Sequence, residues 1–349
     1  RLVFDFTGSD PQSATSINCT YWASLGGLFA PLFPLLCYDI TWNEGVIRPV
    51  EMIAPEGTIV NCTRPAPVSV ATVGAIQSVN NAACTTIGKM LAASETYREE
   101  ATAVWHANHF AIFKFGRNQR GGYSIGILTE TFAGAGGARS FDDGVEIGGE
   151  IPNPISRMAN VETIEAQFPI RYLFRRRARD SGGPGTFRGG TGGEMALVAH
   201  KAPDGGIDYV ISGKGARHPM SEGLAGGWPG APNAYVWVKA PEDGTSAPVA
   251  ADTLGDIPGA QERVSWGVYP LKGRDALYVR WNGGGGYGDP LERDPARVAA
   301  DVAAGLVSLE AARGIYGVVL ASDGAADEAA TGTERTRMKT ARLTLEAAQ

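Results

Sequence analysis

The chain has few of the residues that bind metals or form cross-links. Its 349 residues include four histidines and four cysteines. Cys19, Cys37, Cys62 and Cys84 lie far apart and form no C-x-x-C pair. Their spacing therefore fits reduced, mostly buried thiols better than a disulfide framework or a zinc site. We expect a cytoplasmic protein.

The chain also lacks an excess of positive charge and a long apolar run. Its formal net charge of −6 provides no basic field that would attract nucleic acid or an anionic membrane. The longest apolar run, residues 25–36, is interrupted by two glycines and two prolines and is too short to span a bilayer. We therefore expect neither nucleic acid nor a membrane as a partner.

No nucleotide-binding motif is complete in this sequence. Gly134-Ala135-Gly136 begins a G-x-G pattern, but Arg139 stands where a dinucleotide fingerprint has its third glycine. Ser212-Gly213-Lys214-Gly215 lacks the spacing and the hydroxyl residue of a phosphate-binding P-loop. The sequence therefore predicts that this chain has no nucleotide site of its own.

One serine lies in a pattern that is typical of catalytic nucleophiles. Gly122-Tyr123-Ser124-Ile125-Gly126 matches G-x-S-x-G, which requires a strand before the serine and a helix after it. Here a turn precedes the serine and a β-type run follows it. A chance match is the better interpretation, and we expect no catalysis by Ser124.

Glycine, in contrast, is abundant, and its densest stretch is also rich in arginine. Residues 175–194 contain seven glycines and five arginines. Apolar alternation on both sides of the stretch predicts a tight hairpin between two strands. Because arginine binds carboxylate or phosphate through two parallel hydrogen bonds, a subunit contact and an anion site are both open.

Strand alternation separates the arginines of this hairpin. Arg175, Arg177 and Arg179 share one face, whereas Arg176 points to the packed side together with Tyr172 and Phe174. An unpaired guanidinium would be costly there. We therefore predict that Arg176 is buried and pairs with a carboxylate, for which the nearest candidates are Asp180 and Glu194.

The whole pattern predicts an α+β fold that is rich in strands and glycine-rich hairpins, with a core helix near 70–93 and short C-terminal helices. We expect an α/β portion at 1–165, a β-rich portion at 166–292, and C-terminal helices with a loosely held tail at 293–349. Strands are predicted at 107–115, 124–132, 209–211, 235–238, 263–268 and 276–281. The first residues already alternate as a strand, which suggests that an upstream part is missing.

A candidate substrate pocket follows the core helix. Trp105, His106, Asn108 and His109 lie at the entrance of a predicted strand, where the simplest interpretation is two hydrogen-bonded histidines on opposite faces. The alternative is a pocket in which these residues bind a carbonyl or carboxylate substrate. That pocket would include three further residues, namely Arg117, Gly134 and Gly136.

Four separated motifs carry a resemblance that covers nearly the whole chain. They are Val3-Phe4-Asp5-Phe6-Thr7-Gly8-Ser9-Asp10-Pro11-Gln12, Pro55-Glu56-Gly57-Thr58, Asp180-Ser181-Gly182-Gly183-Pro184-Gly185 with Arg188-Gly189-Gly190, and Gly283-Gly284-Gly285-Gly286-Tyr287-Gly288-Asp289-Pro290. Together they resemble the C-terminal half of the hydantoinase B/oxoprolinase family. Tyr172-Leu173-Phe174-Arg175-Arg176 looks closer to the acetophenone carboxylase-type branch.

The resemblance implies part of an ATP-dependent heteromeric enzyme that is not active alone. Its reaction would be carboxylation of a ketone, such as an aryl ketone, with bicarbonate through phosphorylated intermediates. Alternatives are hydrolysis of a cyclic amide (hydantoin, 5-oxoproline or lactam) and a mainly structural role in such a complex. Implied partners are a hydantoinase A-type ATP-binding subunit, the missing N-terminal half or a separate chain in its place, and a small-molecule substrate. ATP and a divalent metal would bind outside this chain, so no metal residue is named.

Overall fold

The computed structural model describes residues 1–68, 71–106, 112–127, 134–154, 158–203, 205–213, 215–245 and 247–346. The chain divides into two compact units, Arg1–Ala101 and Thr102–Gln349. The three portions expected from composition stay a prediction. None of the helices within the described ranges is long and apolar enough to cross a membrane.

The first unit combines two helices with a two-stranded parallel sheet. Its elements are β1 (Leu2–Asp5), α1 (Tyr21–Leu36), β2 (Val50–Ile53) and α2 (Ala71–Ala92). The helix predicted near 70–93 is confirmed as α2. Its apolar residues recur at helical spacing, so Val79 and Ala83 pack with Leu28 of α1 and Met52 of β2.

Within the described residues, the second unit contains two large antiparallel sheets and a two-stranded one formed by its third and fourth strands. Its strands are β3 (Ile112–Arg117), β4 (Tyr123–Ile127), β5 (Gly149–Glu150), β6 (Asn153–Pro154), β7 (Ile170–Arg177), β8 (Gly193–Ala199), β9 (Gly206–Ile211), β10 (Ala234–Lys239), β11 (Ala260–Arg263), β12 (Gly267–Lys272) and β13 (Ala276–Arg280). One large sheet has the order β11-β10-β13-β8-β7 and the other β12-β9-β3-β4. Ile112, Ile207 and Tyr209 of the four-stranded sheet share a core with Leu197 and Leu277 of the five-stranded sheet.

Helices α3 (Val161–Gln167), α4 (Pro295–Ala303), α5 (Leu309–Gly314) and α6 (Glu328–Glu346) complete the unit. Ser308 caps α5, since its side chain accepts a hydrogen bond from Ala311 N. The mixture of helices and antiparallel sheets confirms the α+β fold class.

Three details differ from the sequence prediction. The expected strand at 263–268 is wrong, because β11 ends at Arg263 and β12 begins at Gly267. The loosely held tail is wrong as well: α6 is a helix, and Arg335 donates hydrogen bonds to the carbonyl oxygens of Tyr316 and Arg293. Finally, β7 and β8 do form a hairpin, but their connection is the long segment 178–192 rather than a tight turn.

Candidate functional site

Extended glycine-rich segments lie against one another in the second unit, and we call residues 134–138, 181–192, 221–231 and 283–288 the glycine layer. Backbone hydrogen bonds join the segments: Gly190 N donates to Gly136 O at 2.9 Å, Gly284 N to Gly190 O at 3.0 Å, and Gly183 N to Gly284 O at 2.8 Å. A Cβ atom on Gly284 would overlap the carbonyl oxygen of Gly136. Glycine is therefore required here because two backbones meet where a side chain would stand.

Four of the predicted pocket residues lie together beside this layer. His106 is 2% exposed and forms a β-bridge with Ala135, which lies between Gly134 and Gly136. The backbone oxygen of Trp105 accepts a hydrogen bond from Ile151 N at 3.2 Å, and its indole packs against Gly136 and Gly148.

An amide on the neighbouring segment fixes the backbone of His106. Asn282 Nδ2 donates to His106 O at 2.9 Å and to Ser221 Oγ at 3.0 Å, and Asn282 N donates to Asn233 Oδ1 at 2.7 Å. All four of these residues are buried. Asn282 was not among the predicted site residues. Its position immediately before Gly283-Gly284-Gly285-Gly286 could have identified it as a candidate.

The other predicted pocket residues are not placed with this group. Arg117 ends β3, where its exposed guanidinium donates to Gly121 O at 2.8 Å. Asn108 and His109 lie outside the described residues.

The arginine of the hairpin has one of its expected partners but not its expected burial. Arg176 Nε donates to Glu194 Oε1 at 2.6 Å, and Tyr278 Oη donates to Glu194 Oε2 at 2.7 Å. The prediction of a buried Arg176 is wrong, because its side chain is 44% exposed. Asp180, the other expected partner, instead accepts a hydrogen bond from Ser308 N at 2.8 Å.

A β-bulge explains part of this difference. The pairing register of β7 shifts between Tyr172 and Phe174, so these two side chains face different cores instead of sharing one face. Arg176 remains on the side of Phe174, over whose ring its guanidinium lies at 5.1 Å. At this end of the strand that side is open to solvent.

The buried arginines are Arg188 and Arg293, whose side chains are 3% and 0% exposed. Arg188 Nη2 donates to Glu146 Oε1 at 2.6 Å and to Asp301 Oδ1 at 3.3 Å. Arg293 donates to both oxygens of Asp143 at 2.7 Å and to Asp301 Oδ2 at 2.8 Å. We call these five residues the buried arginine network.

The charges in this network stabilise one another. Burial alone would raise the pKa of Asp143, but the hydrogen bonds and charge of Arg293, together with the charge of Arg188, hold that pKa below its ordinary value. Burial likewise lowers the pKa of Arg293, but Asp143 and Asp301 outweigh it and raise that pKa. The network ties α4 to the glycine layer, and its guanidinium groups are occupied by carboxylates of this chain.

Metal-ligating side chains do not cluster within the described residues. Within these ranges, no group of three or more histidine, cysteine, aspartate or glutamate side chains could hold a metal. The first unit has two cavities of about 370 and 350 Å³ beside α1, both lined mainly by apolar side chains. Such linings provide contact surface rather than acid–base groups.

Comparison with known sequences gives a consistent result. A family model described as hydantoinase B/oxoprolinase matches residues 1–290. The beta subunit of caprolactamase from Pseudomonas jessenii is 32% identical over 94% of this chain and 53% of that protein. The delta subunit of acetophenone carboxylase from Aromatoleum aromaticum is 24% identical over 91% of this chain and 48% of that protein.

Solved structures agree with these matches. A nucleotide-free structure of acetone carboxylase superposes with a TM-score of 0.85 at 26% identity, over 98% of this chain and 47% of that one. The caprolactamase of Pseudomonas jessenii superposes with a TM-score of 0.76, over 94% of this chain and 54% of that one. This chain thus spans about half the length of these relatives. Since the family model covers most of its length, the chain belongs to the hydantoinase B/oxoprolinase family.

Proposed function

We propose that this chain forms half of the large subunit of an ATP-dependent enzyme that carboxylates a ketone, such as an aryl ketone, with bicarbonate. The observation that carries this proposal is the superposition of nearly the whole chain on half of an acetone carboxylase chain. The enzyme would act in the cytoplasm as a heteromeric complex.

The partners follow from what this chain does not provide. Its described residues contain neither a metal cluster nor a phosphate-binding loop. In this proposal ATP binds to a hydantoinase A-type subunit and a divalent metal binds to the other half of the large subunit. We expect the purified chain alone to hydrolyse no ATP above a blank, as measured by phosphate release.

The contribution of this chain would be part of the substrate pocket. Trp105, His106, Gly134 and Gly136 lie together, with an indole and an imidazole beside a rigid backbone layer. An aromatic wall and a histidine suit a ketone, which needs apolar contact for its substituents and a polar group near its oxygen. Asn108 and His109, which follow directly in sequence, belong to the same proposed pocket.

The second candidate function is ATP-dependent hydrolysis of a cyclic amide. It is favoured by the 32% identity to the caprolactamase beta subunit. Both reactions start from a weakly electrophilic carbonyl group, so the same pocket chemistry serves either substrate.

Reconstitution with both partner chains tests the proposal. The complex is supplied with ATP and either acetophenone with labelled bicarbonate or caprolactam alone, and label fixation and ring opening are measured. Fixation that requires the ketone supports carboxylation, and ring opening without bicarbonate supports the second candidate. Failure of an assembled complex in both assays, repeated with acetone, hydantoin and 5-oxoproline as substrates, would favour a structural role.

A pair of histidine variants tests the pocket. His106→Gln should lower turnover by about a hundredfold, the effect expected for a group that contacts the reacting substrate. The control His218→Gln changes an exposed histidine and should leave turnover unchanged. Because His106 is buried, the melting temperature of each variant is recorded as well. Unchanged turnover in a folded His106→Gln complex would exclude this residue from the pocket.

A further inference from the structure

The four-stranded sheet has one buried face and, among the described residues, one face with several exposed side chains. Ile112, Ile207, Tyr209, Ile211 and Leu271 point into the core that this sheet shares with the five-stranded sheet. The alternate residues of the same strands must point to the opposite face, because side chains alternate along a strand.

The pairing register identifies the residues of that opposite face. Between β4 and β3, Ile125 pairs with Phe115 and Ile127 pairs with Phe113. Phe113 also pairs with Val210 of β9, which in turn pairs with Val268 of β12. Directly paired residues lie side by side on one face. We call this surface the open sheet face, and its side chains are those of Phe113, Phe115, Arg117, Tyr123, Ile125, Ile127, Asp208, Val210, Val268, Pro270 and Lys272.

The middle of the open sheet face is mainly apolar and accessible, with Arg117 and Lys272 at the ends of their strands. Tyr123 is 69% exposed, Ile125 68% and Val268 62%, while Phe113, Phe115 and Val210 are half-buried. An antiparallel sheet with a water-facing side normally carries polar residues there. In this sheet the residues at the middle of both faces are mainly apolar, which is the pattern of a sheet that is covered on both sides.

The size of the open sheet face constrains what covers it. Four strands spaced ~4.8 Å apart, each with about five residues at ~3.3 Å, give a patch of roughly 300 Å². One partner in a standard interface contributes about 800 Å². A polypeptide that binds here in a standard interface would therefore also contact the sheet edges, with the open sheet face at the centre of the interface.

Length indicates which polypeptide this is. The matched relatives are about twice as long as this chain, so each contains a second part of similar size. We propose that the open sheet face docks the other half of the family's large subunit through an apolar surface of that half. The inference rests on the proposed function only in treating this chain as half of that subunit. The acidic net charge of the chain argues against a lipid surface.

The test measures binding between two polypeptides. The other half, taken as the polypeptide from the same genome that matches the remaining part of the relatives, is produced separately and titrated onto immobilised chain. Ile125→Lys and Val268→Lys should each weaken binding by about a hundredfold or more, as expected for a residue at the centre of an interface. The matched control is Leu309→Lys, which places the same charge at a 62% exposed leucine of α5 and should bind like the parent.

Footprinting makes the test independent of the variants. Tyr123 should be labelled by hydroxyl radicals in the chain alone and protected in the complex. If binding occurs but Ile125→Lys binds normally, or if Tyr123 stays reactive in the complex, the inference is overturned. A homodimer of this chain that Ile125→Lys dissociates would assign the face to a second copy, and labelling lost on anionic vesicles would assign it to lipid; either result overturns the proposal.

The outcome is separable from that of the proposed function. An assembled complex with a protected Tyr123 that fixes no bicarbonate and opens no lactam supports the docking surface and refutes the proposed reaction. A catalytically active complex in which Tyr123 stays reactive refutes the docking surface alone.

Discussion

Arg293 provides a strong test of how the second unit is held together. Its guanidinium is fully buried and donates hydrogen bonds to two carboxylates. Nη1 and Nη2 both bind Asp143, and Nη2 also binds Asp301. Replacing it by methionine keeps much of the volume but removes the charge and these hydrogen bonds. Asp143 would retain Arg297 at 3.1 Å, and Asp301 would retain Arg188 at 3.3 Å.

The cost of Arg293→Met follows from the charges that remain. Removing one partner of a buried ion pair lowers the free energy of unfolding by about 3–5 kcal/mol, because the remaining carboxylate is then a buried charge without a cation beside it. For a unit of this size, 1 kcal/mol corresponds to about 2–4 °C in melting temperature. We therefore expect a drop of roughly 6–20 °C, measured by differential scanning calorimetry.

Two further variants separate charge from packing. Arg176→Met breaks an ion pair whose arginine is 44% exposed, and such pairs contribute only about 0.2–1 kcal/mol. Adding Asp143→Asn to Arg293→Met should recover part of the lost stability, because it neutralises the uncompensated carboxylate. The reasoning is refuted if Arg293→Met melts within about 2 °C of the parent, or if Arg176→Met is the more damaging change.

Three other predictions concern pH, the glycine layer and the serine motif. Because the pKa of Asp143 is lowered in the folded protein, this carboxylate contributes stability that is present above its unfolded pKa of 3.8 and is lost as pH falls through the folded pKa. The difference in melting temperature between the parent and Arg293→Met should therefore become smaller in acid. A difference that stays constant with pH contradicts this prediction. Gly284→Ala should yield insoluble protein, because the added Cβ atom would overlap Gly136 O. Gly332→Ala lies in open space within α6 and should raise the free energy of unfolding by about 1 kcal/mol. Solubility and melting curves check both expectations. Ser124→Ala should change turnover of the assembled complex less than about tenfold, since Ser124 lies within β4 opposite Gly116 rather than on a strand-to-helix turn; a hundredfold loss would show a catalytic role.

The parts of the fold that the sequence predicted are those with a regular period. Helix α2 repeats its apolar residues over six turns, so the periodicity identified it and its buried face. The strand expected at 263–268 failed for the complementary reason. Val264 belongs to the core, but Trp266 is 71% exposed, and the run is divided between two strands of different sheets.

The side-chain environment of the arginines could not be predicted from local alternation. One extra residue in β7 moves Tyr172 and Phe174 to different cores, and no residue type in the sequence marks that bulge. Arg188 and Arg293 are separated by more than a hundred residues and become neighbours through their shared contacts with Asp301 and Asp143. The composition of the hairpin therefore indicated an ionic contact, but not which arginine is buried in one.

The candidate pocket was predicted from neighbours in sequence, and its location depends on backbone pairing instead. Trp105 and His106 meet Gly134 and Gly136 because the two segments form a bridge at Ala135, and Asn282 enters from a third segment. A sequence motif could identify each segment but not their convergence.

The glycine layer and the buried arginine network depend on each other physically. Packed glycine backbones bury little apolar area, so the layer depends on backbone hydrogen bonds, each of which contributes only about 0.5–1.5 kcal/mol net. A layer held in this way needs neighbours that fix the order of its segments. The buried arginine network provides such neighbours, because Arg188 N and the Arg293 guanidinium both bind Asp143. Asp143 follows the glycine segment that contains Gly136, and Arg293 lies just after the final glycine segment. Loss of Arg293 should therefore disturb the surroundings of His106 as well as the C-terminal helices, because the same layer supports both.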